Sequence, residues 1–504
     1  MINDIVILGG GSAGWMTAMI MARAWAKKNI RITLLESSEV GIIGVGEGST
    51  PALKSFFDIM NIPEMEWMPA CNATYKCGIT FSGWSTRPGF ESYYHPFPSM
   101  VDSHTLPLFI RNAQQRIAGE EVEAHPNHFF LSQRLAEMSL APKAHYHFPF
   151  DTQYGYHFDA ILLGQFLRTK AVAMGVQHRV CHVQDVVLDT RGNIQHLLSD
   201  AGELLAADFF VDASGFAGML SQKTLAIPFV SYATELFNDA AVAMPTAMEN
   251  IIPSQTCATA LRNGWTWKIP LTERFGNGYV YSSAFCSADE AEQELREHLC
   301  LSDTDVPVRH LKMKVGRVAQ PWHRNCLAVG LAQGFIEPLE ATALFLIQQT
   351  VAIFMEMFEQ GGFTDQHQEA FNQRINDQFD GTRDYIVTHY KTSSRSDSEY
   401  WRANTADPNN VSESLRALYR CWKSGDNLAA EIKRQAIEKY YPVASWYCIF
   451  AGMGIFPSTR PSAGTKTSRI ELQQLDDFIA RCALNFDDHR KVLERMRSGD
   501  MRKR

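Results

Sequence analysis

The chain has 504 residues, 45% of them hydrophobic and 20% charged, with a formal net charge of -8, a pI near 6.1 and a mean hydropathy of -0.19. These values describe a globular chain with room for a large core, and they exclude the basic footprint of a protein built to bind nucleic acid or an anionic membrane. Ten cysteines include no CxxC pair, and the chain starts directly on a strand-like run instead of a charged and apolar leader; this predicts reduced thiols and a cytoplasmic setting.

Ile5-Val6-Ile7-Leu8 is an apolar strand. It runs into Gly9-Gly10-Gly11-Ser12-Ala13-Gly14, where Gly9, Gly11 and Gly14 form GxGxxG, and then into a helix through Trp15, Met16, Ala18, Met19 and Ala22. The next strand, Ile30 to Leu35, ends in Glu36. This order is that of a dinucleotide-binding unit. The glycines let the backbone turn and approach a pyrophosphate, the helix N-terminus meets its charge, and the acid accepts hydrogen bonds from an adenosine ribose.

A glycine-rich segment, Gly44-Val45-Gly46-Glu47-Gly48-Ser49-Thr50-Pro51, precedes an amphipathic helical run from Ala52 to Phe57 with Lys54 facing outward. In Asn72-Ala73-Thr74-Tyr75-Lys76 the lysine sits between Tyr75 and Cys77, before the apolar stretch Ile79 to Trp84. Most lysines are solvated, but this setting predicts an inward-facing ammonium. Tyr93-Tyr94-His95-Pro96-Phe97 is an aromatic cluster. The pairs His125 with His128 and His145 with His147 lie in proline-containing loops with no acid or cysteine at metal spacing, so no metal site is expected.

Phe209-Phe210-Val211-Asp212-Ala213-Ser214-Gly215 reads as a buried strand ending in a polar turn, and no second GxGxxG follows to hold a nicotinamide dinucleotide. In Gly264-Trp265-Thr266-Trp267-Lys268-Ile269-Pro270 the two tryptophans share one face of a strand; they either wall a pocket or fill the core. Asn325 to Ala332 is a strand leading into Gly334-Phe335-Ile336-Glu337-Pro338-Leu339-Glu340-Ala341-Thr342. Taken alone, Glu340 is an acid at a helix start, the place of a cap or of a dipole partner. The apolar run Ala341 to Phe358 is interrupted by Gln348, Gln349 and Glu356, which marks a buried core helix.

Beyond about residue 360 the pattern turns to polar helices, with Ser412 to Trp422, Ala429 to Tyr440 and a last helix from Ile470 to Arg497. Tyr440-Tyr441 stands before Trp446-Tyr447-Cys448-Ile449-Phe450-Ala451-Gly452, and Pro457 to Gly464 reads as an exposed loop. The basic Met501-Arg502-Lys503-Arg504 is expected to fray.

These segments together resemble flavin-dependent halogenases of the tryptophan/indole halogenase family, from Ile5 to about Gly454. The resemblance rests on GWxWxIP at Gly264 to Pro270, the Gly44 to Pro51 strap, the Asn72 to Lys76 segment, and EPLE at Glu337 to Glu340 with Thr342. Class A flavin hydroxylases are similar at the N-terminus, but they usually show an Asp-Gly motif where this chain has Tyr156-His157-Phe158-Asp159-Ala160-Ile161-Leu162. The resemblance implies an α/β fold: a Rossmann-like FAD-binding module of the flavin monooxygenase type with a mainly helical substrate-binding region. It places the box-shaped module at 1–358, with substrate-site segments at about 70–150 interleaved, and the helical region at 359–504. Within the module, flavin-binding segments are expected at the N-terminus, about 150 to 225, and about 310 to 358.

The same resemblance implies roles. Gly9, Gly11, Ala13, Gly14, Glu36, Asp212, Gly330 and Leu331 would hold FAD, Thr342 and Ala343 halide, and Trp265 and Trp267 would shield the flavin pocket. FADH2, O2 and bromide or chloride would yield hypohalous acid. Lys76, with Lys54 as its nearest rival, would polarise that acid or carry the halogen as a haloamine. Glu340 would orient the electrophile and stabilise or deprotonate the ring cation. His95, Phe97, Tyr440 and Tyr441 would flank the substrate. Gly48 stands where alanine is frequent, and Ala341 where tryptophan halogenases commonly carry serine, so no hydroxyl is available there. The FADH2 would come from a separate flavin reductase, without need of a stable complex. Family members acting on free tryptophan carry a longer tyrosine- and acid-rich insert before the YCIFAG-like motif. Gly425 to Tyr440 has no Tyr-Tyr-Glu-type run, which favours indole or an indole derivative as substrate. A flavin hydroxylase and a non-catalytic flavin-binding protein remain open on the sequence.

Overall fold

The computed structural model describes residues 2–39, 45–302, 304–407, 410–457 and 466–499. Gly44, the loop expected at Pro457 to Gly464 (apart from Pro457) and the basic tail Met501 to Arg504 lie outside the described residues. The chain divides into two compact units: Met1–Asn72, Phe158–Thr234 and Met313–Asp380 form one; Ala73–His157, Glu235–Lys312 and Gly381–Arg504 form the other.

The first unit is a Rossmann-like α/β module. Its six-stranded sheet has the order Trp322–His323, Cys326–Ala328, Phe209–Asp212, Asp4–Leu8, Arg31–Glu36, Gln177–Val180. All neighbours are parallel except the outermost hairpin. Ile5 to Leu8 and Phe209–Asp212 are buried throughout, because both faces of the sheet are covered, one by helices and the other by Val183, Ile194, Leu197 and Leu205 of a small three-stranded antiparallel sheet, and its strands need no polar alternation. Helix Ser12–Ala24 packs against Ala160–Ala173 and Ala343–Gln360. Asp159 caps the second of these, its Oδ1 accepting from the N–H groups of Ile161 (3.0 Å) and Leu162 (3.2 Å). Leu8 lies opposite both Leu35 and Asp212, and Asp212 opposite Ala328. The loops after four strands therefore emerge together at the carboxyl edge of the sheet, where open α/β sheets bind ligands.

The second unit centres on a seven-stranded sheet in the order Arg309–Lys312, Ala240–Ala247, Arg274–Tyr281, Gly264–Pro270, Thr256–Leu261, Gly78–Ser82, Ser92–Pro96. Its pairs are antiparallel apart from Thr256–Leu261 with Gly78–Ser82. Helices include Glu413–Ser424, where the Ser412 hydroxyl accepts from the Leu415 N–H at 3.0 Å, and Val443–Gly452, buried from Ala444 onward.

Three expectations are corrected. The chain does not divide at 358. Residues beyond it still belong to the parallel-sheet unit, because the Asn372 amide bonds both backbone groups of Trp322 (2.9 and 2.8 Å) and Phe371 packs on the Trp322 ring at 5.7 Å. The first compact unit continues to Asp380, while 73–157 and 235–312 group with the C-terminal helices. The helix expected over Ala429 to Tyr440 is Leu428–Arg434, since Ala436 takes a left-handed φ of 54° that ends helical geometry. The last helix is two, Lys466–Ala483 and His489–Ser498, split by the strand Phe486–Asp488, which pairs with Leu140–Ala144.

Among the described residues no helix is long and apolar enough to cross a membrane. No group of three or more His, Cys, Asp or Glu side chains among them is arranged to hold a metal ion.

Candidate active site

The carboxyl edge of the parallel sheet shows why the glycines of the first loop are needed. Gly9 has φ +125°, and a Cβ there would stand 2.1 Å from the Ala213 carbonyl oxygen; one on Gly14 would stand 2.0 Å from the Gly9 oxygen. Strand and helix close on each other only without those side chains. A Cβ on Gly11 meets nothing within 4 Å, so this face is open. Helix Ser12–Ala24 begins there with no side-chain cap and no acid in its first turn, leaving its first N–H groups for an anion. Glu36 lies against Gly10, and its Oε2 accepts from His178 Nε2 at 2.8 Å. These residues fit the ADP half of FAD.

Asp212 is fully buried and turned toward the protein. Its Oδ1 accepts from the Ser214 N–H (3.1 Å) and hydroxyl (2.5 Å). Its Oδ2 accepts from the N–H groups of Leu220 (3.0 Å) and Ser221 (2.7 Å) and from the Ser221 hydroxyl (2.7 Å). Five donors saturate a carboxylate, so Asp212 shapes the turn of the site instead of offering an oxygen to a ligand. Gly330, at φ +60°, touches this region directly: a Cβ there would stand 2.6 Å from that of Ala13. Leu331, half-buried, follows in the same turn, Gly330–Ala332.

The chain then makes a second turn, Pro338–Glu340, before helix Ala343–Gln360. Between them Ala341 adopts φ +57°, a conformation costing a non-glycine residue about 1 kcal/mol. Glu337 and Glu340 are buried beside this strained link. Thr342 is buried and gives the helix no side-chain cap, Ala343 is exposed, and no acid occupies the first turn.

In the second unit Lys76 is fully buried at the end of the short strand Thr74–Lys76, which pairs with residues 155–157. Five hydrogen bonds hold this strand and the residue after it, four directly and one through His157. The Thr74 hydroxyl donates to the Pro270 carbonyl at 2.6 Å and therefore accepts from His157 Nδ1 at 3.0 Å, while His157 Nε2 accepts from the Thr256 hydroxyl at 2.9 Å. The Tyr75 N–H donates to His489 Nε2 at 3.0 Å, and the Cys77 N–H to the Ser254 carbonyl at 2.7 Å. Both imidazoles are neutral. Burial, and after it the Lys76 ammonium, holds His157 well below the usual histidine pKa. Burial holds His489 down to about 4. Neither histidine carried any signal in the sequence, because their partners lie far along the chain.

The Phe97 N–H donates to the Cys77 carbonyl at 3.2 Å, which brings the Lys76 ammonium 5.4 Å from the Phe97 ring centroid. His95 belongs to a second cluster. Its Nε2 lies 2.9 Å from the Ser445 hydroxyl, and the Tyr385 hydroxyl donates to the Ser445 carbonyl at 3.0 Å. The Tyr385 ring stacks on Tyr441 at 3.6 Å and meets Trp446 edge-on at 4.9 Å. Tyr385, Ser445 and Trp446 were not among the expected site residues; only the aromatic content of the Trp446 to Gly452 run pointed toward them. The expected Tyr440 and Tyr441 pair separates, with the Tyr440 ring packed over Gly381, where a Cβ would meet its Cδ2 at 2.4 Å. Trp265 and Trp267 share a face, rings 6.2 Å apart, with Trp267 laid over Gly278. Lys54 faces solvent and pairs with Asp58 at 2.6 Å.

The first unit thus carries a glycine cradle in an α/β module, and the second a buried lysine beside an aromatic ring. The family model for tryptophan halogenases matches residues 4–467, and the chain belongs to that family. It is similar to the 7-chloro-L-tryptophan 6-halogenase KtzR of Kutzneria sp. (strain 744), at 34% identity over 99% of this chain and 100% of that one. Among solved structures it resembles the tryptophan 6-halogenase SttH of Streptomyces toxytricini, with TM-score 0.86, 32% identity and coverage of 98% and 99% of the two chains. It also resembles BrvH, a flavin-dependent halogenase of Brevundimonas sp. BAL3, with TM-score 0.84, 30% identity and the same coverage. These matches do not favour the hydroxylase or the non-catalytic binder.

Proposed function

We propose that this halogenase acts on indole, or on an indole-bearing compound larger than tryptophan, in preference to free tryptophan, with Lys76 delivering the halogen. The observation that carries this reading is the Lys76 ammonium, wholly buried and set against the Phe97 ring. Burying a charge is costly, and buried ionisable groups cluster at functional sites.

Bound FADH2 supplies, with O2, the oxidation of halide to hypohalous acid. The N–H groups of Gly11 to Gly14 and the Glu36 carboxylate hold its ADP half, with Gly330 and Leu331 closing the turn beside Ala13. Thr342 and Ala343, at the uncapped start of helix Ala343–Gln360, receive the halide, and Trp265 with Trp267 screens the flavin pocket from water. Lys76 donates a hydrogen bond to the oxygen of hypohalous acid. The arene carbon then takes the halogen, the O–X bond breaks, and water leaves with the proton from Lys76. Glu340 stabilises the ring cation and accepts the proton that restores aromaticity.

A flat, electron-rich ring suits the walls formed by His95, Phe97, Tyr385 and Tyr441. The segment that would clamp an amino acid is otherwise engaged. Both Glu431 oxygens are taken by Arg434 at 2.6 and 2.7 Å, Gln435 adds a bond at 2.7 Å, and its pKa falls to about 2. Glu438 is exposed and the Tyr440 ring lies over Gly381.

One dinucleotide fingerprint supports delivery of FADH2 by a separate reductase, and bromide, the more easily oxidised halide, is the better co-substrate. Mass spectrometry of products from an indole panel with bromide or chloride tests the reading. With a flavin reductase present, brominated indole is expected; the isolated chain should consume no NADH or NADPH. Oxygenated, halide-independent product, or stoichiometric nicotinamide oxidation by the chain alone, overturns it.

A further inference from the structure

We infer that His489 is a positioning residue for halogen delivery, holding the backbone that aims Lys76. The inference rests on the assignment of Lys76 to the electrophile. It concerns a part of the chain beyond the family match, which ends at residue 467.

Thr74–Lys76 is an edge strand among the described residues, paired only with residues 155–157. An edge strand turns alternate backbone groups away from its neighbour, and a buried group so placed needs another partner. The Tyr75 N–H finds it in His489 Nε2 at 3.0 Å. Because Nε2 accepts, the proton of this neutral ring is on Nδ1, which donates to the Ile252 carbonyl at 3.0 Å. The imidazole thus ties Tyr75 to Ile252, while the Cys77 N–H binds the Ser254 carbonyl directly at 2.7 Å. Lys76 lies between two anchors to the same run, residues 252–254. Four rotatable bonds separate its backbone from its nitrogen, so a small shift of the strand becomes a large displacement at the ammonium, where orientation governs rate.

The placement of His489 is itself secured. Asp488 caps helix His489–Ser498 through the Lys491 N–H at 3.0 Å, and the strand Phe486–Asp488 pairs with Leu140–Ala144. This strand also explains why the C-terminal helical run is broken immediately before His489.

The test uses the full chain with FAD and a flavin reductase, comparing parent, Lys76→Ala, His489→Leu and His489→Gln. Thermal midpoint, FADH2 consumption, aryl halide formed and hypohalous acid trapped in solution are measured for each. His489→Leu should keep its fold and flavin turnover, lose about tenfold in aryl halide yield, and release the difference as free hypohalous acid. In His489→Gln the amide oxygen takes the Tyr75 N–H, and the yield should return to within about twofold of the parent. A merely structural role would lower flavin turnover and halogenation together. A folded His489→Leu with the parent ratio of aryl halide to free hypohalous acid overturns the proposal. Should that variant not fold, His489→Gln and His489→Asn replace it: the shorter asparagine should leak more, and parent-level yield from both overturns the proposal. Parent-rate halogenation by Lys76→Ala would instead overturn the Lys76 reading, and this one with it.

Discussion

The imidazole of His489 accepts a 3.0 Å hydrogen bond from the backbone N–H of Tyr75, 414 positions earlier in the chain. The next residue is Lys76. The start of the C-terminal helix is therefore coupled to the strand that presents the buried ammonium, through a ring held neutral by its burial.

That coupling has a pH signature. An unfolded histidine takes up its proton near 6.5, whereas folded His489 does so only at about 4. The unfolded state binds more protons in between, so this stability is complete above about pH 6.5 and is lost as pH falls toward 4, by about 3 kcal/mol. Glu47 has the opposite sign. Burial and the Asp159 carboxylate raise its pKa to about 7, so it favours the folded state as pH falls from about 7 to 4.5. His489→Gln isolates the first effect. Urea midpoints at pH 7 and pH 4 should show the parent losing about 3 kcal/mol relative to the variant; parallel curves would contradict a neutral, buried His489.

Lys76→Ala should retain FAD binding and formation of hypohalous acid while losing arene halogenation by about a hundredfold or more. Glu340→Gln should slow halogenation by about a hundredfold without slowing flavin oxidation. Single-turnover assays with a hypohalous-acid trap separate the two half-reactions. Unchanged halogenation by Lys76→Ala would move attention to Lys54.

Two glycines of one motif should answer differently to alanine. At Gly14 the new methyl would stand 2.0 Å from the Gly9 carbonyl oxygen, whereas at Gly11 it meets no atom within 4 Å. Gly14→Ala should unfold at lower temperature, by about 1 to 3 kcal/mol in stability. Gly11→Ala should melt with the parent yet bind FAD at least about tenfold more weakly, because its methyl occupies the diphosphate cradle. Calorimetry and flavin fluorescence titration check both.

Equimolar indole and tryptophan should compete in favour of indole. Each missing charge-assisted hydrogen bond costs about 1.5 to 3 kcal/mol, so two weaken tryptophan binding by about a hundredfold or more. A kcat/KM for tryptophan at or above that for indole would show that other residues rebuild the clamp.

The strand, glycine loop, helix and second strand that open the chain were legible in the sequence because their determinants are contiguous. Strand, glycines, helix start and Glu36 follow one another within thirty-six residues, and the glycine spacing is set by clashes local to that loop. The same holds for the Trp265 and Trp267 face, which strand alternation dictates, and for the solvent-facing Lys54, which helical periodicity dictates. The inward setting of Lys76 was readable from its neighbours, but the bonds that fix it were not. Those belong to Thr256, Pro270 and His489, brought to the strand by register and pairing across hundreds of residues. Tertiary structure likewise committed Asp212 to five internal donors, parted Tyr440 from Tyr441, and split the last helix with a strand whose partner begins at Leu140. Local sequence specifies conformation where the competing forces are steric and near neighbours along the chain. The partner of a buried polar group is chosen only when distant segments fold together, since its desolvation is offset by whichever donor or acceptor the packing brings within reach.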